Sequence, residues 1–406
     1  MANFFGRGLV AGHLAAMLIF GAGLSACSDS EDTEKPGEVD PGDDKEPGAD
    51  TPDPTPAADL FDEEPVLFEA AFGAGNGQIC YHLAQASIVD CAQAWDLMFE
   101  VDGRAWSIWT NSSYRGGGDG AAFGPILEED VDAFQKVSDI PGWFADSVGG
   151  VFLSSPWQSY NVMGSHDITA NQRVYVVREG TEHYKVQMLS YYGGNGASGM
   201  IHVRWSGLDD SAADARELVI DARAGGFGAA ATDPKNRYAY LNLETGDLLE
   251  ITDAEARDSS DWHLGFKRFS VLTNSGVSGP ADIRGALAVG NAHLYNSDGT
   301  PNREAFEGLN ETSADASFNS VTSADGLTFT ADTAKPYILS DGGAYSWMVV
   351  TPPPVGPDFN ANPDIWWAVR GANRDSFAKL RVVDIDYSAD AKIFTVELYR
   401  SIPDQE

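Results

Sequence analysis

The side chains that could catalyse a reaction or hold a metal are seven histidines, three cysteines and 61 acidic residues in a chain of 406 residues. Their spacing matches no common catalytic motif, because the sequence has no glycine-rich phosphate loop, no His-Glu-x-x-His, no nucleophile elbow and no Cys-x-x-Cys. Residues 296–299 resemble part of a calcium loop, but the glutamate that such a loop needs is replaced by Ala305. We therefore predict that the protein is not an enzyme.

Cys27 is placed for covalent lipidation. Residues 1–26 contain a short apolar run that is typical of a secretory signal peptide and too short to span a membrane. The run ends in Leu-Ser-Ala-Cys, which resembles the lipobox of bacterial lipoproteins. We predict that residues 1–26 are removed and that Cys27 carries the acyl chains, so that the membrane is contacted only through this anchor. By the bacterial sorting rule that this resemblance brings, Ser28 favours the outer membrane.

The charge of the chain is strongly negative and unevenly spread. The formal net charge is −35, and residues 28–65 hold 15 acids and two lysines among many prolines. Because this stretch has few apolar side chains to bury, we predict that residues 27–65 form a disordered acidic tether. A protein with this balance lacks the basic surface that nucleic-acid binding requires, so we exclude that function.

Five landmarks occur twice in the same order, which indicates an internal repeat. The pairs are VLFEA at 66–70 with LVIDA at 218–222, CYHL at 80–83 with YLNL at 240–243, WDLMF at 95–99 with WHLGF at 262–266, TNS at 110–112 with TNS at 273–275, and VYVVR at 174–178 with WWAVR at 366–370. The stretches between them are rich in Gly, Asp and Pro, as loops are. We infer two homologous domains, at residues 66–210 and 217–403.

The elements that must position any site are mainly strands. Most apolar runs are short, alternate with polar residues and are separated by turn residues, which favours antiparallel β structure. One short helix is predicted at residues 128–137, where apolar side chains recur every three positions. The predicted fold class is therefore mostly β, with two homologous antiparallel β domains after the acidic tether.

The spacing of the two remaining cysteines predicts a disulfide. Aligning Leu83 with Leu243 places the first hairpin turn at residues 85–86, and the numbers of residues that face each other across this turn then add up to 171. Cys80 and Cys91 meet that condition, so they should face each other across a strand pair. An exported protein also lies where disulfides persist.

Taken together, these motifs resemble the HmuY family. The resemblance rests on the lipobox, the acidic tether, Tyr81-His82-Leu83, residues 95–99, Asn111 with the glycines after it, and the segment from Arg173 to Met188. It implies an outer-membrane lipoprotein of mostly β fold that binds haem in a pocket and scavenges it. Family members use histidine or methionine as iron ligands, so the ligands have to be argued from this sequence.

The resemblance places the second haem ligand just before the strand at residues 174–178. That segment contains Met163 and His166, a thioether and an imidazole on a loop with a glycine between them, and we predict that one or both ligate haem iron. Trp157 and Tyr160 are candidates for the walls of the pocket. The positive charge that the haem propionates need is assigned to Arg173 and Arg178.

Two functions remain open from the sequence. The first is a haem-binding surface lipoprotein that captures haem and passes it to an outer-membrane receptor, or takes it from a haem-carrying protein. The second is a surface interaction module that kept the fold without haem. His166 and Met163 favour the first, whereas the second repeat, in which Met348 is the only soft ligand at the corresponding place, favours the other.

Overall fold

A computed structural model describes residues 60–73, 75–112, 115–226, 229–351, 358–388 and 391–402. The predicted signal peptide, Cys27 and most of the predicted tether lie outside these residues. The prediction of a mostly β protein with antiparallel sheets is confirmed.

Twelve strands are assigned between residues 66 and 207 in the part of the chain that the structure describes. They are β1 (Val66–Ala71), β2 (Gly77–His82), β3 (Ser87–Val89), β4 (Leu97–Asp102), β5 (Ala105–Thr110), β6 (Ala121–Leu127), β7 (Ser147–Gly149), β8 (Gln158–Tyr160), β9 (Ile168–Ala170), β10 (Val174–Glu179), β11 (Glu182–Tyr192) and β12 (Ser198–Gly207).

The strands described after residue 215 follow the same order and the same pattern of hairpins. They are β13 (Arg216–Asp221), β14 (Ala239–Leu241), β15 (Leu248–Leu249), β16 (Leu264–Lys267), β17 (Ser270–Thr273), β18 (Arg284–Val289), β19 (Thr333–Lys335), β20 (Met348–Thr351), β21 (Asp358–Ala361), β22 (Ile365–Arg370), β23 (Phe377–Tyr387) and β24 (Lys392–Ser401). Short α-helices are α1 (Val151–Ser154), α2 (Asp253–Ala256), α3 (Arg303–Glu307) and α4 (Glu311–Asn319).

Each five-stranded sheet combines strands from both halves of the chain. Sheet 1 has the order β1-β24-β23-β22-β6, and sheet 2 has the order β13-β12-β11-β10-β18. Sheet 2 therefore contains β10–β12 from the first half together with β13 and β18 from the second half. Sheet 1 contains β22–β24 from the second half together with β1 and β6 from the first half. The predicted division between residues 210 and 217 therefore cuts both sheets. Sequence similarity shows that two strands are equivalent, but it does not show which of the two equivalent strands joins a given sheet.

Two structural bodies result from this exchange. We call residues 60–146 with 333–402 body A, and residues 147–332 body B. In body A one core joins sheet 1 to the four-stranded sheet β3-β2-β4-β5 and contains Trp106 and Trp367. In body B the corresponding core joins sheet 2 to the sheet β15-β14-β16-β17 and contains Trp157 and Tyr175. Strands such as β24 alternate between buried and half-buried positions, as expected for a sheet with one face on a core.

The chain passes between the bodies along a two-stranded ribbon. β7 pairs antiparallel with β19, so the two crossing segments bond to each other. Immediately before each of these strands lies a buried carboxylate, Asp146 and Asp332. Asp146 accepts hydrogen bonds from the backbone N–H and the hydroxyl of Thr110, at 2.9 and 3.1 Å, and Asp332 accepts the same two bonds from Thr273 at 2.8 and 2.9 Å. Asp146 also accepts from the Tyr337 N–H at 2.8 Å, which lies beyond β19.

Helical structure differs in place and type from the prediction. Residues 128–137 form two short 3₁₀ segments, Glu128–Ala133 and Val137–Asp139, rather than one α-helix. The longest α-helix among the described residues is α4, which lies in the insertion after β18, where no helix was predicted. Its start carries an ordinary capping signal, because the side chain of Asn310 accepts from the Ser313 N–H at 3.1 Å.

The predicted disulfide is present, but the register behind it was wrong. The Sγ atoms of Cys80 and Cys91 are bonded, and their Cα atoms lie 5.2 Å apart. In the β2–β3 ladder, however, Cys80 faces Val89, and the turn is centred one residue earlier than predicted. Cys91 lies just past the end of β3, and its chain still passes near enough to Cys80 for the bond.

The last residues of the predicted tether contact body A. Leu60 forms a bridge with Lys136, and Phe61 is buried in a cluster with Val137 and Phe377. The packed part of the chain therefore begins before residue 66, because Phe61 supplies apolar surface to an otherwise open edge of the core.

Candidate functional site

The predicted haem ligands lie on one hairpin of body B. β8 and β9 pair so that Tyr160 faces Ile168, and residues 161–167 form the loop between them. The loop is closed by a hydrogen bond from the Asn161 N–H to the Asp167 carbonyl at 2.8 Å. Gly164, between the two candidate ligands, has a φ of 80°, a left-handed conformation that glycine adopts without strain.

His166 and Tyr160 are brought together in this loop. The Nδ1 atom of His166 lies 3.0 Å from the Tyr160 hydroxyl, and its backbone N–H donates to the Asn161 side chain at 2.9 Å. The His166 side chain is exposed, and among the described residues its Nε2 has no hydrogen-bond partner. If Nδ1 donates to the tyrosine, Nε2 has a lone pair for a metal, which is the usual second contact of a ligating histidine. Met163, in the same loop, is half-buried.

Three other predicted site residues lie elsewhere. Trp157 is 1 % exposed and donates its indole N–H to the Phe269 carbonyl at 2.8 Å, so it belongs to the core of body B. Arg173 donates to the Pro156 carbonyl at 2.8 Å and stacks over Tyr295. Arg178 stacks over Phe329 with 4.6 Å from the guanidinium carbon to the ring centre. These three side chains therefore contact other residues of body B rather than the loop that holds Met163 and His166.

The corresponding hairpin of body A, β20–β21, has a different character. Met348 is 3 % exposed and belongs to the main core of that body. Residues 352–357, which follow β20 in the sequence, lie outside the described residues. The soft ligand that the sequence pointed to in the second repeat is thus a packing residue.

A groove of about 620 Å³ begins beside the loop of the β8–β9 hairpin. It lies between β9, the outer side of β11–β13, and the insertion with α3 and α4. Its lining includes apolar and aromatic groups (Ile168, Leu189, Tyr192, Phe306, Leu309) and polar groups (Asp167, His202, Arg204, Glu217, Asn310, Glu311). The volume falls within the range of about 300–1,000 Å³ that is typical of small-molecule sites.

The groove carries more negative than positive charge. Arg204 is 3 % exposed, and its charge is matched by Asp315, whose carboxylate accepts from Nη1. His202 contacts Glu217, with 3.0 Å between Nε2 and the carboxylate. Glu311 is exposed at the mouth. The groove therefore repels anions, and this includes the propionates of haem.

His263 aligns with Asp96 of the first repeat and makes an equivalent hydrogen bond. Asp96 accepts from the Leu83 N–H at 2.7 Å, and His263 Nδ1 accepts from the Leu243 N–H at 3.2 Å. His263 Nε2 lies 3.0 Å from the Glu179 carboxylate. Burial lowers the pKa of His263, so the neutral ring with its proton on Nε2 fits both contacts.

The described part of the chain contains neither a metal-binding cluster nor a helix that could span a membrane. Among those residues, no group of three or more His, Cys, Asp or Glu side chains is arranged to hold a metal ion. No helix there has the length and apolarity needed to cross a membrane.

The fold defines a mostly β protein in which each of the two five-stranded antiparallel sheets combines strands from both halves of the chain. A family model described as HmuY protein matches residues 234–396, and this match confirms the resemblance to the HmuY family that was drawn from the sequence. The matched residues include β14–β18 of body B, β19–β23 of body A and the first half of β24.

Among solved structures, the chain is similar to a HmuY-like haem-binding protein from Bacteroides vulgatus ATCC 8482. The two are 16 % identical, the match covers 42 % of this chain and 87 % of that chain, and the TM-score is 0.14. A search of the curated proteins found no match.

Proposed function

We propose that the chain is a haem-binding surface lipoprotein that captures haem for uptake. The observation that carries the proposal is the pairing of Tyr160 with His166 on a loop that also holds Met163, in a chain with a HmuY family match. An imidazole and a thioether are both suitable ligands for haem iron. The family is one of binding proteins, which agrees with a function other than catalysis.

The donor groups of the hairpin loop fit haem iron. Bound haem would supply an iron centre, and His166 would hold that iron through Nε2. Tyr160 would hold the ring orientation of His166 through Nδ1, and Met163 would be the alternative or second ligand. The groove charge does not favour a porphyrin inside it, so the proposed site is the hairpin loop itself.

The test is a haemin titration of the purified protein, followed by the Soret band. We expect haemin to show a shifted Soret band when it binds the parent protein. His166→Ala should lower the affinity for haemin more than about tenfold, since even the loss of a side chain that only hydrogen-bonds to a metal ligand lowers affinity about 10–100-fold. Tyr160→Phe should cost about tenfold for that reason. Met163→Ala and the double variant with His166→Ala tell whether the thioether is the second ligand.

His183→Ala is the matched control. His183 is the second residue of β11, where it faces Arg178 of β10 and its Nδ1 is 3.0 Å from the Thr181 carbonyl. This variant should bind haemin like the parent. Absence of a Soret shift in the parent refutes haem binding, and an unchanged shift in the His166, Met163 and double variants refutes the ligand assignment.

The second candidate is a surface interaction module that keeps the fold without haem. It is favoured by the engagement of Arg173 and Arg178 within the fold, since the loop then lacks the two cations assigned to the propionates. A parent protein without a Soret shift would support this function.

We also propose that the protein is exported and attached to the outer membrane by lipid on Cys27, with a haem receptor or a haem-carrying protein as its partner. The support is the Leu-Ser-Ala-Cys motif and the charged stretch that follows it. Replacing Cys27 by serine should release the protein from the membrane fraction. Retention of the Cys27→Ser variant in that fraction would contradict the anchor.

A further inference from the structure

The groove between sheet 2 and the α3–α4 insertion has a polar floor that the fold leaves incomplete. Arg204 lines this floor and is 3 % exposed. Its Nε donates to the Gln187 side chain at 2.9 Å, and its Nη1 donates to Asp315. Its Nη2 is also buried but has no hydrogen-bond partner among the described residues. A buried donor without an acceptor is costly, so an acceptor atom placed beside this nitrogen would be stabilising.

The mouth of the groove presents the opposite kind of group. Glu311 is exposed and, within the described structure, its carboxylate accepts no hydrogen bond. Among the described residues, the Glu217 carboxylate accepts only from His202, at 3.0 Å. Carboxylates are acceptors only, so a ligand that donates hydrogen bonds can replace the solvent at these groups. The groove thus suits a molecule that accepts at its floor and donates at its rim.

Aromatic and apolar side chains complete the lining. Tyr192 is half-buried, and its hydroxyl accepts from the Ile168 N–H at 3.0 Å and lies 3.3 Å from the Asp167 carboxylate. Phe306 and Leu309 come from the insertion. Such surfaces suit the apolar C–H faces of a ring that carries polar groups on its edges.

From these groups we infer that the groove is a binding site for an uncharged polyhydroxylated ligand, a sugar or short glycan. A hydroxyl both donates and accepts, so one ligand can satisfy Arg204 and the rim carboxylates together. An anionic ligand meets Asp167, Glu217 and Glu311, and a cationic group cannot supply the acceptor that Arg204 lacks. An extended peptide would need a free strand edge, whereas β11 and β12 at the floor are paired on both sides.

The site is separate from the proposed haem ligands. Haem would bind through His166 or Met163 on the hairpin loop, and the sugar would bind through Arg204, Glu311 and Tyr192 in the groove. This inference goes beyond the proposed function and stands if haem binding fails.

The experiment is calorimetric titration of the whole protein with uncharged trisaccharides of glucose, mannose, galactose or N-acetylglucosamine. A sulfated disaccharide and trilysine are the charged comparisons. We expect at least one uncharged trisaccharide to bind more tightly than either charged probe. Glu311→Gln and Tyr192→Ala should each weaken that binding about tenfold or more, because the first replaces a charged acceptor by a weaker amide and the second removes a ring contact.

Arg204→Lys should abolish the binding, since lysine is a point charge that does not reproduce the guanidinium fork. Because Arg204 also packs within the fold, Glu311→Gln and Tyr192→Ala carry the test if this variant is unstable. Glu182→Gln, an exposed position on β11 outside the groove lining, is the matched control and should bind like the parent. The inference is overturned if no uncharged trisaccharide binds, if a charged probe binds best, or if Glu311→Gln and Tyr192→Ala bind like the parent.

Discussion

At the residue scale, the most informative groups are Asp146 and Asp332, which hold equivalent places before the two crossing strands. Burial raises the pKa of each carboxyl from 3.8 to about 6, although backbone and threonine donors lower it again in part. A carboxyl with a raised pKa binds its proton more tightly in the folded state than in the unfolded state. Each therefore favours folding when protonated and opposes it when charged.

This predicts that the free energy of unfolding contains a contribution that falls as the pH rises from about 4 to about 6 and is level above that. The expected loss is on the order of 3 kcal/mol for each carboxyl, from 1.36 kcal/mol per pKa unit. The measurement is urea unfolding across this pH range, with Asp146→Asn and Asp332→Asn combined. The double variant should show a smaller loss than the parent between these pH values.

Asp258→Asn is the control for these two substitutions, because Asp258 is an exposed aspartate. It should leave the pH dependence of the parent unchanged. Equal pH dependence in the parent and in the double variant would contradict the assignment to Asp146 and Asp332.

At the element scale, the exchange of strands between the two halves is the feature with the clearest test. In sheet 1, Glu69 of β1 faces Thr395 of β24. If strands paired within the first half instead, the repeat alignment would place Glu69 opposite Met200 of β12, because the equivalent Asp221 faces Met200. The two arrangements thus give different neighbours to the same residue.

We predict that Glu69→Cys with Thr395→Cys forms a disulfide on mild oxidation, in a background where Cys27 is serine. Facing residues of an antiparallel pair lie close enough for the bond, although the exact separation depends on the kind of pair. Mass spectrometry of an unreduced digest would identify the cross-link. Glu69→Cys with Met200→Cys is the comparison, and an efficient 69–200 cross-link would show that strands pair within one half.

At the scale of the whole molecule, the exchange makes each core depend on both halves. Trp367 of β22 is fully buried in the core of body A together with Trp106 of β5. Tyr175 of β10 has the equivalent place in the core of body B, with Val271 of β17. Damage to a strand should therefore loosen the small sheet of the other half.

We predict that Trp367→Ala lowers the stability of body A by about 3–5 kcal/mol, the usual cost of emptying a large aromatic site. Hydrogen exchange should show faster exchange in β5, at residues 105–110, while β17, at residues 270–273, stays protected. Tyr175→Ala is the matched variant and should give the reverse pattern. Loss of protection in β17 after Trp367→Ala would contradict the exchanged fold.

Several features could be predicted from the sequence because they depend on local pattern. The alternation of apolar and polar residues determined the strands, and the recurrence of landmarks such as Trp95 and Trp262 determined which segments are alike. The link between Cys80 and Cys91 was predicted even though the register was wrong, since a short hairpin brings both ends near each other in either register.

Other features were decided only by the tertiary structure. Equivalent strands have similar hydrogen-bonding edges, so either strand could pair into a given sheet. The path of the chain at residues 146–150 and 332–337 decides which half completes each sheet. The groove depends on Arg204, a residue inside an ordinary strand pattern, meeting an insertion more than 100 positions away. A sequence pattern indicates the local role of a residue within its own strand. The residue that it contacts is set by packing between distant parts of the chain.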